Sequence, residues 1–242
     1  MKIGIATAMK SEWTQIEKNL RDSREVAAYG SHFRVGAVGS NEVILGETGI
    51  GKVNAAIGAT TLIEAFKPDC LLSTGVAGGL DSSLHVMDVV AADEVVYHDV
   101  DCGPGNEYGQ VQGLPPRFAC DARLIAHAKR LEVPSESEPA KAQIGLLASG
   151  DRFISKPQQL AVIKSRFRDA LAVDMESGAL AQVCHLLRVP FLSFRILSDT
   201  PHGTDRFAQY SNFWDAVAER AFAVTREFLR TLPSSLDDIP LE

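Results

Sequence analysis

Short apolar runs alternate along this chain with longer segments of helical period, and this alternation constrains the fold more than any other feature. Residues 3–6, 42–45, 70–73, 86–92, 144–148, 171–173 and 190–197 read as strands. Several are apolar on successive residues, as strands covered on both faces are. Between them, residues 52–66 are rich in Ala, Ile and Leu and stop before Lys67-Pro68. Residues 176–187 place Leu180, Val183, Cys184 and Leu187 on one stripe, and residues 212–229 do the same with Phe213, Val217, Ala221, Val224 and Phe228. Such stripes suit helices packed on a sheet. Strand–helix alternation therefore predicts an α/β sandwich with a largely parallel sheet.

No linker, repeat or low-complexity tract divides the 242 residues, which predicts one domain over 1–231. The tail 232–242 holds two Ser, two Pro and several acids and is expected to fray. Two stretches read as loops with functional potential: 99–116, which carries Gly103-Pro104-Gly105 and Gly113-Leu114-Pro115-Pro116, and 200–211. A formal net charge of −7 argues against an electrostatic grip on nucleic acid or anionic lipid. No apolar run approaches the roughly 20 residues of a membrane span, and no secretory signal follows Met1. The expectation is a cytoplasmic protein acting on a small molecule. Cys70, Cys102, Cys120 and Cys184 form no CxxC pair or short Cys/His clip, so neither a zinc site nor a disulfide framework is expected.

Acidic residues at strand ends are the first candidates for chemistry, because ligands of open α/β sheets gather at the carboxyl ends of strands. Glu12 follows the first strand and the turn Thr7-Ala8-Met9-Lys10. Asp174-Met175-Glu176 follows the strand at 171–173, and Asp199 follows Phe194-Arg195-Ile196-Leu197-Ser198. Each also has a structural reading: an acid in a helix's first turn for Glu12, a cap for Asp174 or Glu176, a turn residue for Asp199. Two glycine-bearing stretches that follow strands, 73–79 and 149–154, read as loops. Gly75-Val76-Ala77-Gly78-Gly79 misses the dinucleotide fingerprint, although its glycines let a ligand approach the backbone.

Taken in order, these segments resemble the bacterial methylthioadenosine/S-adenosylhomocysteine nucleosidases of the nucleoside phosphorylase superfamily. The resemblance is carried by Met1-Lys2-Ile3-Gly4-Ile5 with Ala8-Met9 and Glu12, and by Gly49-Ile50-Gly51-Lys52-Val53-Asn54-Ala55-Ala56 and Lys67-Pro68-Asp69. It continues through Ser73 to Leu80, Tyr97-His98-Asp99, Ser149 to Ile154, Asp174-Met175-Glu176 and Ser198-Asp199. It implies a three-layer αβα sandwich around a mixed sheet, a homodimer, and hydrolysis of an N-glycosidic bond that releases adenine and a 5-alkylthioribose. It requires no metal or organic cofactor.

By the same resemblance, Glu12 is the general base for the attacking water and Asp199 promotes protonation of purine N7. Glu176 and Met175 contact the ribose, with Arg195 beside the glutamate. Phe153 stacks on adenine and Ile154 bonds the base edge. Val76, Ala77, Gly78 and Ser198 line the base and ribose, and Met9, Ile50 and Tyr210 or Phe213 line the 5′ side. The chemistry asks for such a set: adenine leaves poorly without a ring proton, the transition state is oxocarbenium-like, and water is a weak nucleophile.

The chain departs from the family pattern at Val76, where Ser is common, and at Asp174, where Glu is usual. The loop from Asp101 to Glu107 lacks the aromatic that covers the 5′ substituent from the neighbouring subunit, and Asp199 is followed by Thr200-Pro201-His202. Three rivals follow: a nucleosidase for another 5′-modified adenosine such as aminodeoxyfutalosine, a phosphate-dependent phosphorylase, and a non-catalytic nucleoside sensor. Thr7 to Lys10 and Leu71 to Thr74 contain no arginine to hold phosphate, which disfavours the second. Binding alone needs no general base, which disfavours the third.

Overall fold

The computed structural model describes residues 1–131, 142–203, 205–216 and 222–241. Its strands are β1 (Lys2–Thr7), β2 (Arg21–Ala28), β3 (Ser31–Val38), β4 (Asn41–Glu47), β5 (Cys70–Gly79), β6 (Val89–Tyr97), β7 (Phe118–Ala119), β8 (Ala142–Ser149), β9 (Ala170–Asp174) and β10 (Phe191–Asp199). The helices are α1 (Lys10–Glu17), α2 (Lys52–Phe66), α3 (Ala122–Lys129), α4 (Pro157–Arg166), α5 (Ser177–Leu187), α6 (Arg206–Ala216) and α7 (Ala223–Thr231).

The strands form one mixed sheet in the order β10-β6-β8-β9-β5-β1-β4-β3-β2. β10 also pairs with β5, so five strands close on themselves and the rest extend as a wing. Parallel pairings join β1 to β4 and β5, β10 to β5, and β8 to β6 and β9. Antiparallel pairings are as numerous among the described residues, so the sheet is mixed rather than largely parallel. Residues 3–7 of β1 and all of β10 are buried in succession, which requires cover on both faces. A Cβ on Gly4 of β1 would lie 2.7 Å from Leu62 of α2, showing how closely that helix sits on the sheet.

Local chemistry explains where elements begin and end. Pro157 opens α4, where a missing N–H costs nothing, and Asp121 caps α3 by accepting from the N–H groups of Arg123 and Leu124. α2 ends at Lys67 in a left-handed conformation just before Pro68.

Four expectations are corrected. The glycine segment at 73–79 is strand rather than loop, because β10 and β9 pair with it. Half of the expected loop 200–211 is helix, since α6 starts at Arg206. The stripe at 212–229 falls on α6 and α7; its Val217 and Ala221 lie outside the described residues. The tail does not fray: Leu232, Leu236 and Ile239 are buried, and the Met1 ammonium donates to Ser234 O at 2.8 Å. Three apolar side chains anchor it. The stretch 99–116 is irregular, as expected.

Candidate active site

The carboxyl ends of β1, β5, β9 and β10 converge on a cleft of about 630 Å³, counting its open mouth. A cleft of apolar walls with a few convergent polar groups suits a small-molecule ligand. Met9 and Glu12 enter from the turn after β1, and Val76, Ala77 and Gly78 from the end of β5. Met175 and Glu176 come from the turn after β9, Ser198 and Asp199 from the end of β10, and Tyr210 from α6. Ile50 and the pair Phe153 and Ile154 complete the wall from the loops before α2 and after β8. Arg195 stands apart from this lining; its side chain is 2% exposed and pairs with Asp174 at 2.8 Å rather than with Glu176. Phe213, the alternative to Tyr210, is buried in the core.

Glu12 occupies the third position of α1 and its carboxylate reaches back over the helix start. Oε2 accepts from the N–H groups of Ala8 at 2.8 Å and Met9 at 3.2 Å, the second being the N-cap donor that no helical carbonyl reaches. Oε1 accepts from the Val76 N–H at 3.0 Å. The structural reading of this acid, a place in a helix's first turn, is thus met, and the same carboxylate lines the cleft. Because Val76 acts through its backbone, the missing hydroxyl at this position does not disturb the bond. Burial pushes the Glu12 carboxyl above its ordinary value, opposed by the Arg195 charge and the three N–H donors. Gly75 is required here: a Cβ would collide with Glu12 Oε1 and lie 2.7 Å from Arg195 Nη1.

Glu176 precedes α5, and its Oε1 accepts from the Gly51 N–H at 2.9 Å. Burial, then the neighbouring Asp174 charge, pushes its carboxyl up to about 7, against the pull of Arg195 and the Gly51 N–H. Asp174 caps α5 by accepting from the Ser177 N–H at 3.1 Å. Arg195 Nη2 also donates to Ser73 Oγ at 2.6 Å and Ser177 Oγ at 3.0 Å, locking β5, β10 and α5 behind the cleft.

Asp199 sits where the β10–β5 register shifts between Leu197 and Asp199, an irregularity of the kind that re-aims a side chain beside a site. Its Oδ1 accepts from the Ser198 hydroxyl at 2.8 Å, and its Oδ2 lies 2.6 Å from Arg206 Nε. Burial raises its carboxyl, with Arg206 and Ser198 acting in the opposite direction. Arg206 is a contact that sequence reading missed. Its one signal was an arginine within the stretch after Asp199 where the chain departs from the family pattern.

At the mouth, the Phe153 and Tyr210 rings meet edge to face, with centroids 5.6 Å apart and planes at 77°. Tyr210 donates weakly to Met9 Sδ at 3.5 Å. Lys52 lies deeper than its helix position suggests. Its Nζ is 3.0 Å from both Asp99 oxygens, and its N–H donates to Asp151 Oδ1 at 2.8 Å. Asp99 Oδ2 in turn accepts from the Asp151 N–H at 2.9 Å, tying the start of α2 to the loops that carry His98 and Phe153. No group of three or more His, Cys, Asp or Glu able to hold a metal occurs among the described residues.

Comparison with known proteins bears on this arrangement. The family model of the phosphorylase superfamily matches residues 2–230. A 5′-methylthioadenosine/S-adenosylhomocysteine nucleosidase of Bacillus thuringiensis (strain Al Hakam) is 41% identical over 219 residues, which span 90% of this chain and 94% of that protein. The crystal structure of the S-adenosylhomocysteine nucleosidase of Streptococcus pyogenes, in complex with 5-methylthiotubericidin, superposes with a TM-score of 0.88 at 36% identity, covering 96% of this chain and 98% of the other. The 5′-methylthioadenosine/S-adenosylhomocysteine nucleosidase of Neisseria meningitidis, in complex with methylthio-immucillin-A, gives 0.87 at 35% identity, covering 96% and 99%.

Proposed function

The chain belongs to the phosphorylase superfamily and, within it, to the 5′-methylthioadenosine/S-adenosylhomocysteine nucleosidases, and from this we propose how its cleft works. The protein hydrolyses the N-glycosidic bond of 5′-methylthioadenosine and S-adenosylhomocysteine, giving adenine and a 5-substituted ribose. The observation that carries the reading is the convergence of three buried carboxyls, Glu12, Glu176 and Asp199, on one cleft, each raised above its ordinary value. Perturbed acids gathered in a cleft are what acid–base chemistry needs.

In this reading adenine lies between Phe153 and the strand end at Val76, Ala77 and Gly78, with Ile154 on its edge. The N9–C1′ bond breaks with its electron pair moving into the purine, and the Asp199 proton passes to N7. Glu176 holds the ribose hydroxyls, with Met175 packed beside the sugar. Its negative charge opposes the positive charge that grows on the ring, help that strengthens toward the transition state. Water forms the new bond to C1′ and gives its proton to Glu12. Both carboxyls then re-equilibrate with solvent.

Phosphate is a poor alternative to water. Among the described residues lining the cleft, the one cation is Arg152, which is exposed, whereas Glu12 and Glu176 would repel a dianion. A second reading keeps the hydrolysis and changes the 5′ group. It is favoured by the 5′ side, where Ile50 is 50% exposed in the single chain.

The protein works as a cytoplasmic homodimer. Support comes from α2, where Val53 and Ile57 stand 69% and 60% exposed on successive turns beside Ile50 of the cleft. In the loop 99–116, by contrast, Val111 and Leu114 pack partly against the chain's own core and leave less apolar surface for a second copy. The deciding experiment is adenine release from a panel of 5′-substituted adenosines, with and without phosphate. Free 5-substituted ribose in phosphate-free buffer is expected; strict phosphate dependence or ribose-1-phosphate overturns the hydrolase reading.

A further inference from the structure

We propose that Arg206 is a positioning residue for the acid step: its guanidinium fixes the Asp199 carboxyl against the cleft and sets how strongly that carboxyl gives up its proton. The inference rests on the hydrolase reading and assigns a role to a side chain which that reading leaves unused.

Arg206 opens α6, and its side chain is 4% exposed against 5% for Asp199. Nε lies 2.6 Å from Asp199 Oδ2, and Nη1 donates to Gly79 O at 2.9 Å. The Nε contact is an ion pair by distance without hydrogen-bond geometry, and Nη2 is likewise buried without a hydrogen-bond partner and passes so close to Gly78 that a Cβ there would collide with it. Gly78 lines the cleft, so the guanidinium lies directly behind the wall that faces the purine. A charge this buried is costly unless paired, and here its partner is the one carboxyl assigned to protonate the base.

The groups around Asp199 define its acid strength. α6 contributes Arg206 and the Tyr210 phenol. Glu12 and Glu176 face it across the cleft, while the adjoining part of β5 contributes only Gly78 and Gly79. On the following loop, His202 is turned away, its Nε2 bonded to Ser82 O. Asp174 and the exposed Arg152 also line the cleft, and Arg206 is the one cation paired with Asp199 among the described residues. The Ser198 hydroxyl adds an adjustable contact, lying 2.8 Å from Asp199 Oδ1 and 3.3 Å from Ala77 O. It has one hydrogen for two acceptors. With Asp199 protonated at Oδ1, Ser198 donates to Ala77 O. As the carboxyl O–H breaks and N7–H forms, negative charge arrives on Asp199 beside Arg206, and Ser198 can turn to meet it at Oδ1. No other reactant is needed.

The test compares wild type, Arg206→Met and Arg206→Lys in adenine release from 5′-methylthioadenosine across pH. It is paired with carbon-13 titration of Asp199 in the unliganded proteins, assigned with Asp199→Asn. Without the cation Asp199 holds its proton to higher pH. The alkaline limb of kcat/KM should therefore move up by about one pH unit or more in Arg206→Met. Its plateau should fall by about 10- to 100-fold, part of the 10²–10⁴ that a general acid supplies. Arg206→Lys keeps a charge and should recover part of both effects. Should Arg206→Met fail to fold, Arg206→Gln replaces it as the neutral variant and is read by the same limb and the same Asp199 titration. A limb and an Asp199 titration that stay put when the cation is removed, whatever the rate, overturn the proposal. A wild type that releases no adenine overturns the hydrolase reading instead, and the titration still decides the role of Arg206.

Discussion

The Val76 N–H donates to Glu12 Oε1 at 3.0 Å, joining the first turn of α1 to the strand end that forms the floor of the cleft, 64 residues away in the chain. One carboxylate thereby closes a helix start and braces β5, a placement that suits the base role proposed for it. A carboxylate has about four lone-pair sites, so three N–H bonds leave room for a water proton.

Replacing that base, or the acid opposite it, should stop turnover while sparing the fold. Glu12→Gln and Asp199→Asn are each expected to lower kcat for adenine release by about 10²–10⁴-fold, which is roughly 3–5 kcal/mol of barrier. Circular dichroism and thermal melting should report native structure. Either variant keeping more than about a tenth of the wild-type rate removes that residue from the mechanism.

Gly75→Ala probes the close packing behind the site. Its methyl group would meet Glu12 Oε1 and Arg195 Nη1, so the carboxylate must shift. Overpacking of this kind costs about 1–3 kcal/mol, and we expect a lower melting temperature together with a loss in kcat. A variant with wild-type kcat would show that Glu12 needs no such exact placement.

The raised Glu176 carboxyl makes stability depend on pH with a defined sign. In the unfolded chain Glu176 ionises near 4.5, while burial and Asp174 delay this to about 7 in the fold. Below pH 4.5 both states are protonated and no penalty exists. As pH rises from about 4.5 to 7 the unfolded state gains the advantage, by about 3 kcal/mol at 1.4 kcal/mol per unit. Glu12 and Asp199 act in the same direction. Denaturant melts at pH 5 and pH 7.5 should show wild type losing more stability on going up than Glu176→Gln does. Equal losses would contradict the assignment.

Val53→Asp with Ile57→Asp tests the second copy. Two carboxylates on the exposed apolar face of α2 should convert a dimer seen by light scattering at micromolar concentration into a monomer. The expected activity loss is larger than that from either residue's own distance to the cleft, because Ile50 borders both surfaces. A wild-type monomer with full activity rules out the dimer.

The 5′ side should discriminate weakly. On the loop that the family resemblance places over the neighbouring subunit's 5′ side, Cys102 is exposed and no Cβ at Gly103 or Gly105 would meet another atom within 4 Å. Each methylene of lost contact is worth about 0.8 kcal/mol, so a methylthio group gains little over a longer substituent. A preference for 5′-methylthioadenosine over S-adenosylhomocysteine above about a hundredfold in kcat/KM, near 2.7 kcal/mol, would refute the open mouth.

Periodicity by itself determined the central strands, α2 and α5, because a buried strand or a helix stripe writes its burial into consecutive residues. Ile3–Ile5, Leu71–Leu72 and Leu180–Cys184 needed no partner to be read. The acids at strand ends, Glu12, Glu176 and Asp199, were legible for a related reason: a charge directly after an apolar run has few places to go except a ligand-facing edge. The β2–β3 hairpin was not legible, because β2 is an exposed edge strand whose Arg21, Asp22, Arg24 and Glu25 hide any alternation. Nor did composition reveal that the described tail, 232–241, is pinned, since its burial comes from where Leu236 and Ile239 land rather than from a local pattern. Only the tertiary structure decided that Arg195 serves Asp174 from behind the cleft and that Arg206 meets Asp199. Both ion pairs join residues brought together by strand register and helix placement, and pair energies at a few ångströms depend on distances that linear spacing does not encode.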